Sequence, residues 1–152
     1  MQWTTLLATL VGAAIAMGTA LAVQARKDRN DVAAEWRQIR REVYMTFLSL
    51  LAKTRSELLA LSKKGDLTEA ELDETARQVF APCYEQRHHL ELVAPPEVTT
   101  AALTYFRTVR GLRNVVAGGK GVTDPEWEAN AGELKRTRES VQEAMREDLR
   151  RR

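Results

Sequence analysis

The sequence predicts an all-α chain: one N-terminal transmembrane helix followed by an antiparallel bundle of about four helices. Three observations carry this expectation. Residues 1–25 hold no charged side chain, and all 23 basic and 21 acidic residues lie beyond them. After residue 25, apolar residues recur at helical spacing, and nothing shows the period-two alternation of a strand. Proline, glycine and capping residues divide that pattern into helix-sized pieces. A chain of 152 residues can bury one modest core. The expected division is therefore a membrane anchor over 1–25 and a helical bundle over 26–152.

Residues 6–23 read LLATLVGAAIAMGTALAV. As a helix, Trp3 to Ala25 would extend roughly 34 Å, against a hydrocarbon core of about 30 Å. Helix is the form a single span must take, because backbone groups in lipid have to be satisfied internally. A cleaved secretory signal competes, with Ala20-Leu21-Ala22 as the small-residue site and cleavage after Ala22. A signal needs a basic n-region, and no Lys or Arg precedes the apolar run. The bases cluster afterwards, at Arg26, Lys27, Arg29, Arg37, Arg40 and Arg41, so the N-terminus is expected outside and the bundle in the cytoplasm. Trp3 would then sit at the outer interface. Gly12, Ala16, Gly18 and Ala22 offer small residues four apart, a spacing that lets two spans pack as a homo-oligomer.

The first bundle helix is expected over about 28–64, free to run on directly from the span. Its apolar face is read as Val32, Trp36, Ile39, Val43, Phe47, Leu50, Leu58 and Leu61, with Thr54 filling one gap. Lys63-Lys64-Gly65 should end it. The second, about 68–93, opens with a Thr68/Glu71 capping box and a Leu67/Leu72 staple. Its face is Leu72, Ala76, Val79, Cys83, Leu90 and Val93, with Gln86 the polar exception and Pro82 a kink. The third, about 96–117, carries Val98, Ala102, Tyr105, Val109, Leu112 and Val116. Gly118, Gly119 and Gly121 read as a flexible linker. The fourth, about 124–150, should start with a second capping box, Thr123/Glu126. Its stripe is Trp127, Ala131, Leu134, Val141, Met145 and Leu149, interrupted by Arg138.

Reactive chemistry is sparse. Glu85-Gln86-Arg87-His88 matches the Glu-x-x-His element of di-iron bundles, but such a site needs that element twice, and His88 and His89 are the only histidines. Cys83 and His88 are five apart and off a common helical face, so a metal or thiol role for Cys83, Glu85 and His88 is the weaker alternative. Cys83 alone fits a buried small hydrophobe. Gly118-Gly119-Lys120-Gly121 lacks both the order and the preceding strand of a P-loop. No cofactor is expected. A formal net charge of +2 argues against a nucleic-acid binder. Arg107, Arg110 and Arg113 make a basic stripe that could meet an anion, anionic lipid or an acidic partner.

The segments VGAAIAMG, RREVYMTFLSLL and LVAPPEV occur in that order along the chain. In this layout the chain resembles a loose group of small, uncharacterised bacterial single-pass membrane proteins with a helical cytoplasmic part. The resemblance implies an architecture but no activity, ligand or catalytic residue; the span and its basic flank give the expected location as the inner membrane. The expected function is non-enzymatic: a membrane-anchored bundle that engages a protein partner at the cytoplasmic face. Trp36, Tyr44 and Phe47 are the aromatic residues such an interface would use, if the core does not take them. The alternative is an extracytoplasmic ligand-binding bundle released by the signal cleavage.

Overall fold

The computed structural model describes the backbone of residues 2–151 and the side chains of Gln24, Lys27 and residues 31–151. Its helices are α1 (Gln2–Leu61), α2 (Glu69–Phe80), α3 (Pro82–Val93), α4 (Pro96–Ala117) and α5 (Pro125–Arg150), with no strand among the described residues. The side chains of the apolar leader, including Gly12, Ala16, Gly18 and Ala22, lie outside the described residues. Among those that are described, no helix is long and apolar enough to cross a membrane. Two compact units divide the chain, Met1–Gln38 and Ile39–Arg152. In the first unit the backbone is helical, and Val32 and Trp36 are 54% and 49% exposed.

The second unit is a bundle of four packed rods, α2 and α3 together making one. Contacts fix the direction of each neighbour. Arg40 meets Val93 while Thr54 meets Cys83, so α3 runs against α1. Tyr44 meets Asp148, whereas Arg55 shares a cleft with Arg138, so α5 also opposes α1. Asn130 bonds to the Thr108 carbonyl and Arg151 lies 4.0 Å from Glu97, which sets α5 against α4. The rods therefore alternate in direction, the usual consequence of short connections.

The buried face of α1 shares Phe47, Thr54, Leu58 and Leu61 with the one its periodicity suggested, but takes Tyr44 and Leu51 in place of Val43 and Leu50. Tyr44, Phe47, Leu51, Thr54, Leu58 and Leu61 are buried, spaced alternately by three and four. That is the knobs-into-holes repeat of packed antiparallel helices. Val43 and Leu50, one residue earlier on an adjacent row, are only partly buried. Val32 and Trp36 continue the apolar pattern without being covered, because periodicity shows which face could pack and not whether a partner reaches it. Of the three aromatic candidates, Tyr44 and Phe47 belong to the core and Trp36 does not.

Local chemistry explains where the rods end. After Leu61 the α1 hydrogen bonds tighten to Lys63–Ala60 and Lys64–Leu61 pairings, so the helix stops before its lysines and Gly65. Thr68 and Glu71 form the reciprocal capping box, and the Thr68 amide and hydroxyl hold the Glu71 carboxyl below its usual range. The single helix expected over 68–93 is two, joined at Ala81. Pro82 has no amide to donate and its ring crowds the preceding turn, so it serves instead as the first residue of α3.

At the end of α4 the glycines form a stop, not a linker. Gly119 takes φ +69, its amide bonds to Val116 O, and the Lys120 amide bonds to Val115 O. This is a Schellman closure, and Gly119 is where a left-handed residue is required. The second capping box does not form. Asp124 occupies the N-cap and its carboxylate accepts from the Gly121 amide at 2.7 Å. Glu126 is drawn to Lys120 instead of reaching back to the cap.

Candidate functional site

The polar exception in the α5 stripe marks the place where the bundle is open. Arg138 follows Leu134 by four and precedes Val141 by three, a position where the helix would otherwise present an apolar residue to α1. Earlier on the same helix, Asn130 donates to the Thr108 carbonyl at 3.4 Å. Gly111 leaves room for it, since a Cβ there would stand 2.8 Å from Asn130 Nδ2. These contacts draw the first half of α5 toward α4. Between it and α1 lies a cleft of about 370 Å³.

Leu59, Leu112 and Leu134 line the cleft from three different helices, and Trp127 and Ala131 add an apolar wall from α5. Arg55, Lys135 and Arg138 complete the lining. All three are exposed, and none has a carboxylate within ion-pair distance among the described residues. No acidic residue lines the cavity. Tyr105, on α4, is buried and is not among the residues that line the cleft. Burial raises the Tyr105 phenol above the ordinary range, and the charges of Arg138 and Arg55 both oppose that rise.

A second polar group sits toward the other end of α1 and is built in the opposite sense. Asp148, 9% exposed, accepts from Tyr44 Oη at 2.8 Å and from Arg40 Nη1 at 3.1 Å. Arg40 Nε also donates to the Val93 carbonyl at 2.9 Å, closing the C-terminal end of α3. One guanidinium thus ties α1 to α3 and α5. Burial, then the bond to Asp148 and the charge of Asp148, hold the Tyr44 phenol far above its usual range, against the opposing charge of Arg40. The arrangement is satisfied and closed. It is a clamp.

The residues singled out by sequence are dispersed. Arg113 lies over the Phe80 ring at 5.6 Å and bonds to Asn114, while Arg107 and Arg110 point outward as exposed cations. A step of three residues turns a helix by about 300°, so the stripe fans out and its last member packs. Cys83 is buried and 3.3 Å from Thr54 Oγ1. Burial raises its pKa, the Thr54 hydrogen bond opposes this, and the Glu57 carboxylate adds to it. Glu85 and His88 are exposed, and His88 stands 3.5 Å from Glu91. The three do not converge. Among the described residues no group of three His, Cys, Asp or Glu side chains is placed to hold a metal.

Sequence reasoning missed both polar groups. The clamp had no signal, because Arg40 and Asp148 are 108 residues apart and each read as part of a charged run. The cleft had one: Arg138 breaking an otherwise apolar stripe. Comparison with protein families, with curated proteins and with solved structures finds nothing that matches this chain.

Proposed function

We propose that this chain is a membrane-anchored helical bundle that works by binding, not by catalysis. The observation that carries the proposal is the segregation of charge. No ionisable side chain occurs in residues 1–25, and six bases follow within residues 26–41. A segment of that length and composition is stable in hydrocarbon, and its one-sided basic flank orients it with the bundle in the cytoplasm. Each juxtamembrane base adds about 1 kcal/mol of attraction to an anionic leaflet. The bundle's side of the proposal is supported by what its polar residues do. Arg40, Tyr44 and Asp148 form a structural clamp, and three cations without an ion-pair partner among the described residues, Arg55, Lys135 and Arg138, rim an apolar cleft. A recognition surface needs such groups, whereas a general acid, base or nucleophile needs neighbours that activate it.

Membrane fractionation tests the anchor. The full chain should pellet with membranes and resist alkaline carbonate extraction, and residues 26–152 should stay in the supernatant. Full-length chain in the soluble fraction would defeat the proposal, and a mature N-terminus at Val23 would replace it with the secreted alternative. For orientation the lone thiol is a poor reporter, since Cys83 is buried. A Cys83→Ala, Ser49→Cys variant puts the thiol on the exposed face of α1. It should react with an impermeant maleimide only after the cytoplasmic side is opened.

A further inference from the structure

We infer that the cleft between α1, α4 and α5 is a binding site for a small amphiphilic anion, a molecule with one acidic group on a hydrocarbon body. Three observations meet there. The cavity, about 370 Å³, lies within the range of small-molecule sites, which runs from about 300 to 1,000 Å³. Its interior is apolar, formed by Leu59, Leu112, Leu134 and Trp127. Its charged lining is of one sign: Arg55, Lys135 and Arg138, with no acid among the residues that line it. Elsewhere on α5 the arginines are matched, Arg136 with Glu133 and both Arg146 and Arg150 with Glu143. Three like charges converging on one apolar opening repel each other, and an anion lodged among them removes that repulsion. A hydrocarbon body would bury itself against the leucines while the acid stayed at the rim.

Size separates this ligand from a protein partner. A stable protein interface covers roughly 800 Å² on each side and 20 to 30 residues, whereas the cleft is formed by eight. The structural alternative is that the Lys and Arg stems merely shield the leucines from water. Methionine distinguishes the two, because it retains an apolar stem and carries no charge. The inference does not depend on the membrane anchor, since every residue of the cleft belongs to the second unit.

The test uses the full chain in neutral phosphatidylcholine nanodiscs, with Trp3→Phe and Trp36→Phe leaving Trp127 as the only indole. Titration with 10-bromodecanoate should quench Trp127 saturably, and 10-bromodecanol should bind at least tenfold more weakly. The Lys135→Met, Arg138→Met pair should weaken the acid at least tenfold without lowering the thermal midpoint. Equal quenching by acid and alcohol, unchanged affinity in the double variant, or no saturable quenching would each overturn the inference. Protection of Trp127 by an acidic peptide, with none by the bromo-acid, would overturn it in favour of a protein ligand.

Discussion

Helices α1 and α5 lie antiparallel, and the two ends of their interface handle charge in opposite ways. Near Arg40 and Asp148 the charges are of opposite sign and hydrogen-bonded on several sides, with Asp148 buried and Arg40 partly so. About 22 Å farther along α1, around Arg55, the charges are all positive, exposed and unmatched, and the helices part over a bed of leucines. The same two helices therefore carry a closed polar group and an open one. A charge that completes its hydrogen bonds inside the fold contributes to holding the fold. One left without a partner beside an apolar cavity contributes little to stability and is free to recognise something else.

Removing Asp148 should be the most damaging way to test that contrast. Asp148→Ala strips the acceptor from both Tyr44 and Arg40 and leaves a partly buried guanidinium without its counter-charge. The expected cost is about 2–4 kcal/mol, somewhat below the full range for a buried pair because Arg40 keeps some access to water. Urea unfolding of the full chain in detergent would measure it. Replacing the three residues together, Arg40→Met, Tyr44→Phe and Asp148→Leu, should recover much of the loss, since no polar group is then left unmatched. If Asp148→Ala unfolds no more easily than the parent, the clamp is not one.

A smaller effect is expected from Tyr44→Phe, about 1–2 kcal/mol for a buried hydrogen bond to a carboxylate. It carries a pH signature. In the fold the Tyr44 phenol is held above its usual range by burial and by Asp148, whereas in the unfolded chain it ionises near 10. Above that pH the unfolded chain binds fewer protons than the folded one, so stability is complete below about pH 10 and falls as the pH rises. Tyr105, raised by burial, acts in the same direction. Tyr44→Phe should therefore flatten the alkaline loss while lowering stability at neutral pH. An unchanged alkaline slope would show that Tyr44 is not shielded as described.

How much of this was visible in the sequence depends on the range of the interaction. The α4 stripe, the Thr68/Glu71 cap and the helix starts at Pro96 and Pro125 are set by residues within a turn or two of each other, and all could be read directly, whereas Pro82 read as a kink and is a boundary. On α1 the apolar residues occupy two adjacent rows, and the choice between Val43 or Leu50 and Tyr44 or Leu51 is made by α3 and α5, which a local pattern does not contain. The three polar residues that broke apolar stripes had separate fates. Thr54 is buried against Cys83, Gln86 is half-buried, and Arg138 lines the cleft. Only the positions of other helices distinguish them. Arg40 looked like a topology signal because its partner is 108 residues away.

The least perturbing substitution is the most informative about the open end. Arg138→Leu restores the apolar stripe of α5 and relieves repulsion with Arg55 and Lys135. Leucine and arginine have nearly equal helix propensity, so the backbone contributes almost no difference. No ion pair is lost, since Arg138 has none among the described residues. Against these gains stands one more exposed leucine, at a position already bordered by apolar side chains. The change in unfolding free energy should fall within about 0.5 kcal/mol of zero. A loss comparable to that of Asp148→Ala would mean that Arg138 is as structural as the clamp, and the difference between the two ends of the interface would disappear.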